Sequence, residues 1–237
     1  VAHVWPAGAA VPSHSFSFDS TIGGLALDAK GKRLAVSAYG GVHLLYPLAA
    51  GGGRLSLSHA GSHLACTLAP DAGYVLAAMQ EMGLHGWQLP SRRQLSFSGY
   101  PAKTRSFSWS RRGRWLATSG GASAIVWPFS GKTGPMEKEP VLLGGRGTPR
   151  VAQVAFHPQA DLLAIGYSDG LVSLAEIASG QTVHVHQLTS EVTALVWRDD
   201  GTGLAMGDRS GALAVRRVQV EQRERSDAPG APGAQSA

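Results

Sequence analysis

A unit of about 41 residues recurs along the chain, and this repeat restricts the fold more than any other feature of the sequence. Each unit opens with a short apolar run, and these runs start at Ile22, His63, Thr104, Val151 and Val192. A third run ends after a nearly constant interval, at Tyr46, Trp87, Trp127, Ala175 and Arg216. The step from each of these ends to the next start is also constant, except after Trp127, where it is longer because residues 130–140 form a Gly-, Pro- and Lys-containing insertion.

The apolar runs have the length and boundaries of β-strands. They are short, they are bounded by Gly, Pro, Asp and Ser, and they lack the periodicity of a helix that buries one face. A period near 41 residues with several strands is typical of a propeller blade, whereas ankyrin and tetratricopeptide units are helical and have periods of about 33 and 34 residues. Stacked blades cover one another's apolar faces. The sequence therefore predicts an all-β propeller of four-stranded antiparallel blades.

The turns between the runs resemble those of the WD repeat. The unit over residues 151–176 matches best, with His-Pro after Phe156, Leu-Ala-Ile-Gly from Leu163 and Ser-Asp-Gly from Ser168. The positions that correspond to the structural motif of the family are Trp5, Tyr46, His59, Trp87, Trp127 and Asp169. Gln88 and Pro128 stand where the family has Asp after the Trp. We therefore expect the blades to depend on packing, with the family's Trp, Ser/Thr, Asp and His hydrogen-bond network largely missing.

The strand count predicts four complete blades and two partial ones within residues 1–218. The chain opens with a third strand and an outer strand and reaches a third strand again at residues 211–218. A closed ring would need upstream strands, roughly 35 to 45 residues for six blades or about 80 for seven. We expect seven blades in the full-length protein, and a disordered tail over residues 219–237 because that segment is rich in Arg, Ser, Pro, Gly and Ala.

The resemblance implies a docking face around the mouth of the axial channel. It would be formed by residues that flank the first strands and by the residue before each tight-turn Asp. In this sequence those positions are Tyr39, Gln80, Lys103, Arg105, Arg150, Ser168, Glu191 and Arg209. Aromatic residues and arginines are enriched at interaction hot spots, although some of these residues could simply form a hydrated rim. The predicted function is a non-catalytic scaffold or adaptor that binds a protein partner.

A second group of basic residues falls in the first hairpin turns, on the opposite face. It comprises Lys30, Lys32, Arg33, Arg111, Arg112 and Arg114. Such a group could contact phosphates or an acidic protein. We favour solvated hairpin tips, because no aromatic residues are interleaved for base stacking, and a nucleic-acid partner is not expected.

An enzyme-type propeller, lactonase-like or another metal-dependent hydrolase with its site at the axial channel, is the alternative. The first strands offer mostly Ala, Ser, Thr and apolar residues there, and the sequence has no nucleophile elbow, P-loop or dinucleotide motif. His184 and His186 share a strand face but have no third ligand nearby in sequence, so we expect neither a metal nor a cofactor.

Compartment is constrained only weakly by the sequence. No apolar stretch is long enough for a membrane span, and the single cysteine, Cys66, fits a reducing compartment. These features predict a cytoplasmic protein. The question of a signal peptide stays open, because Val1 is not an initiator methionine and upstream residues are expected.

Overall fold

The computed structural model describes residues 1–49, 52–131 and 133–219, and their regular structure is made only of antiparallel β-strands. We number the blades 1 to 6 along the chain. The predicted disordered tail, residues 219–237, lies outside the described residues apart from residue 219. No helix in the described part has the length and apolar character needed to cross a bilayer.

The strands follow the predicted repeat. Blade 1 contains β1 (Ala2–Val4) and β2 (His14–Phe16), and blade 2 contains β3 (Ile22–Leu27), β4 (Leu34–Tyr46) and the first part of β5 (Gly53–Leu68). Blade 3 contains the rest of β5 with β6 (Tyr74–Met79), β7 (Leu84–Gln88) and β8 (Arg93–Phe97). Blade 4 contains β9 (Phe107–Trp109), β10 (Trp115–Thr118), β11 (Ala124–Pro128) and β12 (Val141–Leu143). Blade 5 contains β13 (Val151–Phe156), β14 (Leu162–Tyr167), β15 (Leu171–Glu176) and β16 (Thr182–Gln187), and blade 6 contains β17 (Val192–Trp197), β18 (Gly203–Asp208) and β19 (Leu213–Arg217).

Two long strands each serve two positions of the repeat. The first part of β4 pairs with β3 and its last part pairs with β5, while Gly40 and Gly41 between these parts have positive φ. The last part of β5 pairs instead with β6, beyond Gly61, which also has positive φ. Glycine permits the turns that separate these parts. The predicted four-stranded antiparallel blades are therefore present even where the backbone runs from one strand into the next with little interruption.

In the described part of the chain, five apolar cores lie between the six consecutive blades. The core between blades 2 and 3, for example, contains Leu44 from one and Val75 and Trp87 from the other. The cores between blades 3 and 4, 4 and 5, and 5 and 6 are built in the same way, and a smaller one joins blades 1 and 2. Burial of these faces is the main favourable term in the stability of such a stack.

Side chains at the ends of the first strands add hydrogen bonds between blades. The indole of Trp109 donates to Thr67 Oγ1 at 3.0 Å, and the indole of Trp197 donates to the carbonyl of Ala155 at 3.0 Å. Each bond reaches the first strand of the preceding blade. The sequence predicted that the blades depend on packing. The structure adds these hydrogen bonds between blades, which the sequence did not reveal.

Apolar side chains are exposed on one face of blade 2 and one face of blade 6. Leu25 and Leu27 of blade 2, which point toward the two-stranded blade 1, are 57% and 61% exposed. On blade 6, Val196, Leu213 and Val215 are 62%, 85% and 69% exposed. These faces are where a propeller with two incomplete blades lacks a covering neighbour, in agreement with the predicted arc of four complete and two partial blades. The predicted total of seven blades stays a prediction.

Candidate functional site

The strands of every blade end at two opposite surfaces. We call the surface where first strands begin and second strands turn into third strands the cleft end. We call the other surface, which carries the turns between first and second strands, the hairpin end. All eight residues predicted for the docking face belong to the cleft end by their positions in the strands. Seven of them are exposed and Glu191 is half-buried.

Five of the eight predicted residues line one cleft of about 570 Å³ at the meeting of blades 3 to 6. They are Lys103, Arg105, Arg150, Ser168 and Glu191. The prediction did not include the rest of the lining, which is small or apolar and comprises Met82, Pro101, Ala102, Ser119, Gly120, Val151 and Ala152. Gly120 precedes Trp127 by the same step as Gln80 precedes Trp87, so the repeat spacing could have identified it.

A repeated backbone contact fixes the positions of the cleft residues. The amide of Ser168 donates to the carbonyl of Arg150 at 2.8 Å, and the amide of Arg150 donates back to Ser168 Oγ at 3.1 Å. In blade 6 the amide of Arg209 donates to the carbonyl of Glu191 at 2.9 Å. The turn between second and third strands is therefore fastened to the start of the first strand.

In blade 4, hydrogen bonds of Ser119 connect the turn to the segment that precedes the first strand. The first strand predicted from residue 104 begins only at residue 107, because Ser119 Oγ accepts the amides of Arg105 and Ser106 at 3.1 and 3.0 Å. Thr104 Oγ1 also donates to the carbonyl of Ser119 at 3.0 Å. These contacts occupy polar groups that would otherwise belong to the strand ladder, so the segment approaches the cleft as an ordered non-strand backbone.

The carboxylate of the cleft forms a salt bridge, whereas its three cations form none within the described residues. Glu191 is bound by Arg209, with 2.5 Å between Oε2 and Nη2. Lys103, Arg105 and Arg150 form no salt bridge with any residue that the structure describes. The lining therefore presents three positive charges whose counterions are not supplied by the described chain.

The other predicted docking residues lie outside the cleft. Arg209 contributes through its contact with Glu191. Tyr39, in the turn of blade 2, is 68% exposed, and its amide donates to Ser20 Oγ at 3.2 Å. Gln80 is exposed in blade 3 and its amide donates to the carbonyl of Ser62 at 3.0 Å. These three share the surface of the cleft end without forming one pocket with the other five.

Met82 borders the cleft in an unusual conformation. It occupies the turn position held by Gly41, Gly170 and Gly211 in blades 2, 5 and 6, all of which have positive φ. Met82 has φ 57° there and its side chain is 48% exposed. A side chain other than Gly in this region costs free energy, and such strain often accompanies functional sites.

The residues of the predicted structural motif have diverse surroundings. Trp87 is buried, and Trp127 donates its indole N–H to Tyr100 Oη at 2.7 Å. Tyr46 packs at the edge of the core between blades 2 and 3, whereas Trp5 is 52% exposed. Asp169 bonds Arg146 at 2.8 Å, and although desolvation opposes ionisation, this arginine lowers the pKa of Asp169 overall.

His59 belongs to a cluster of three imidazoles at the cleft end of blade 3. Its ring stacks on His85 with 3.5 Å between centroids and meets His63 edge-on at 5.8 Å. His63 and His85 are buried, and the Nε2 atom of each has no hydrogen-bond partner within the described chain. Burial lowers the pKa of His85 to about 4, with the nearby His59 and His63 acting in the same direction, and burial also lowers the pKa of His63.

Asp208 organises the turn of blade 6, and the sequence analysis missed it. One carboxylate oxygen accepts Ser210 N, Ser210 Oγ and Ala212 N, while the other accepts Thr189 N, Thr189 Oγ1 and Ser190 N. Asp208 is 5% exposed, and these donors, the Ser210 and Thr189 hydroxyls foremost, lower its pKa. The sequence pattern that could have indicated this role is an Asp two residues before a Ser-Gly turn.

Two of the six basic residues predicted for the hairpin end form ion pairs within the described residues. Arg114 bonds Asp161 at 2.8 Å, in a shallow pocket of about 320 Å³ that also includes Arg111 and Arg112. Arg33 lies 3.4 Å from Asp28. The described residues contain no group of three or more His, Cys, Asp or Glu arranged to hold a metal, which is the arrangement that the alternative hydrolase site would need.

The blade architecture, the cores between blades and the repeated turns define a β-propeller, and comparisons with known proteins support a WD40-type family. Residues 142–199 match the sequence model of the anaphase-promoting complex subunit 4 WD40 domain. The chain is also similar to THO complex subunit 3 of Arabidopsis thaliana, with 28% identity over 125 residues. That match covers 52% of this chain and only 39% of the relative. The WD-repeat assignment predicted from the sequence is confirmed.

Proposed function

We propose that the protein is a non-catalytic interaction scaffold that holds a protein partner at the cleft end. The observation that carries this proposal is the meeting of Lys103, Arg105 and Arg150, with Ser168 and Glu191, in one cleft. These residues come from segments far apart in the sequence. The repeat brings them together at the surface where first strands begin.

The chemistry of the cleft suits a protein partner. Arginine side chains lie next to small and apolar groups such as Val151 and the exposed Met82. Interfaces commonly combine Arg and Met with an apolar centre and a polar rim. The anchored backbone of Arg105 and Arg150 reduces the conformational entropy lost on binding, because only the side chains remain to be ordered.

The similar proteins support the same class of function. Both are described as subunits of named complexes, the anaphase-promoting complex and the THO complex. Since the chain covers 39% of the THO relative, an activity or assembly of the whole protein is carried over only as a proposal. The cytoplasmic location predicted above also stays a prediction.

The test compares two charge reversals of equal size. The variant Arg105→Glu with Arg150→Glu alters the cleft, and Arg111→Glu with Arg112→Glu makes the same change at the hairpin end. Quantitative affinity capture with each full chain should show proteins that the wild type and the hairpin-end variant retain and the cleft variant loses. Equal capture by all three, with unchanged melting temperatures, would refute the proposed docking face.

A further inference from the structure

We propose that the cleft receives an extended acidic segment of its protein partner, which places carboxylates against Lys103, Arg105 and Arg150 and an apolar side chain against Met82. This inference rests on the proposed function and specifies the partner's chemistry. The charged residues in the lining are three cations and one carboxylate. That carboxylate, Glu191, is already bound by Arg209, so the cations determine the sign of the local potential.

The three cations are distributed for contact with a chain rather than with a single small anion. Lys103 and Arg105 alternate on the segment that leads into blade 4, whereas Arg150 precedes the first strand of blade 5. Carboxylates spaced along one extended segment could reach both sides of the cleft. Arginine binds carboxylates through paired N–H groups, so two arginines favour a defined orientation of the segment.

Because part of the lining is apolar, a polyanion without apolar side chains would leave that part without a contact. Met82, Pro101 and Val151 contribute apolar surface beside the cations. Met82 retains a side chain at a turn position where three other blades have glycine, at a conformational cost. A flexible thioether side chain adapts its shape to an apolar group of the partner.

A nucleic acid offers the same negative charge but fits the lining less well. Proteins that bind single strands combine cations with aromatic side chains on which bases stack. Among the residues that the structure describes, none that lines the cleft is aromatic. The structure therefore favours carboxylates presented by a polypeptide, and RNA becomes an alternative for the experiment to exclude.

Three fluorescein-labelled probes test the inference by anisotropy with the full chain. The first is a short Glu-rich peptide with one central Leu, the second is the same peptide with Gln in place of Glu, and the third is a short single-stranded uridine RNA. We expect the Glu-rich peptide to bind about tenfold or more tightly than the Gln peptide, with affinity that falls as salt rises. Arg105→Glu with Arg150→Glu should abolish this preference, whereas Arg111→Glu with Arg112→Glu should preserve it.

The outcomes separate this inference from the proposed function. Equal loss of peptide binding in both variants would mean attraction by net charge alone and would overturn the acidic-segment proposal. Tighter binding of the RNA, dependent on Arg105 and Arg150, would overturn it in favour of a nucleic acid. If capture of cell proteins depends on the cleft while the Glu-rich peptide shows no preference, the docking face stands and the acidic chemistry fails.

Discussion

The cleft end and the hairpin end both carry arginines that are paired and arginines that are unpaired within the described residues, but the unpaired ones have different neighbours: Met82 and Val151 line the cleft with them, whereas Asp161 lines the pocket of the hairpin end. At the hairpin end, Arg33 and Arg114 lie beside Asp28 and Asp161. At the cleft end, Arg105 and Arg150 form no ion pair within the described residues. Clusters of similar charge in the sequence can therefore differ in their capacity for a partner, depending on which side chains surround the unpaired cations.

Aspartates also have different tasks at the two ends. Asp28 and Asp161 face guanidinium groups, whereas the carboxylate of Asp208 accepts the amides and hydroxyls of its own and a neighbouring turn. Asp208 thereby fixes the backbone at the cleft end, whereas Asp169 and Glu191 at the same end bind arginines. We expect changes at the two ends to separate stability from binding, and the following predictions test this separation.

The largest effect on stability is expected from Asp208→Ala. The substitution leaves the donors of Thr189, Ser190 and Ser210 without their acceptor, which should lower the free energy of unfolding. Asp200→Ala is the matched change at the hairpin end, where the exposed carboxylate accepts two hydrogen bonds from Thr202 and pairs with Arg198 at 3.1 Å. Denaturant unfolding of both variants measures the difference, and equal losses would contradict the central role of Asp208.

Acid should destabilise the cleft end through His85. Because its pKa is lowered to about 4 in the folded protein, the unfolded chain binds more protons between that value and about pH 6.5, so stability falls as pH decreases through this window. We expect a loss of about 1–2 kcal/mol between pH 7 and pH 5 that is reduced in His85→Gln, where the lowered pKa of the buried His63 still contributes.

The measurement is the difference in unfolding free energy between the two pH values, which a uniform loss of stability in the variant does not alter. Glu81 partly opposes the effect by favouring protonation of the neighbouring His63. The exposed His184, replaced by Gln, provides the control and should retain the full pH dependence. An unchanged pH dependence in His85→Gln would assign the acid sensitivity to other groups.

Met82→Gly should raise stability while weakening binding. Glycine relieves the positive-φ strain and should increase the free energy of unfolding by about 0.5–1 kcal/mol, while the Glu-rich peptide loses its apolar contact. Ala72→Gly relieves a similar conformation, φ 54°, at the hairpin end and should leave peptide affinity unchanged. Thermal unfolding and anisotropy of both variants would show whether the strain at Met82 serves binding.

The smallest effect is expected at the ion pair of the hairpin end. Arg114 and Asp161 are about half exposed, so Asp161→Ala should change stability by about 0.5 kcal/mol or less. The variant does, however, release Arg114 beside Arg111 and Arg112, which form no ion pair within the described residues. A marked gain in binding of the Glu-rich peptide would show that unpaired arginines alone, without the cleft, are enough to bind it.

The sequence predicted the blades well because a blade is encoded by short-range patterns. Turn residues and apolar runs recur at fixed steps, so the positions of Arg105 and Arg150 followed from the repeat. Contacts between distant segments have no such signature. The six hydrogen bonds of Asp208 and the stack of His59 on His85 depend on how separate turns and strands meet. The backbone conformation of Met82 was likewise hidden, because the repeat suggested only that a turn was present.

Two serines of blade 4 determine how the cleft can respond to a partner. Ser106 Oγ exchanges hydrogen bonds with the amide and carbonyl of Val154, and Ser108 Oγ accepts the amide of Phe156 at 2.8 Å. Sliding of blade 4 against blade 5 would break these three bonds together. The main-chain separation of Arg105 and Arg150 is consequently set by the scaffold, and selectivity among partners should depend on how closely the spacing of their carboxylates matches it.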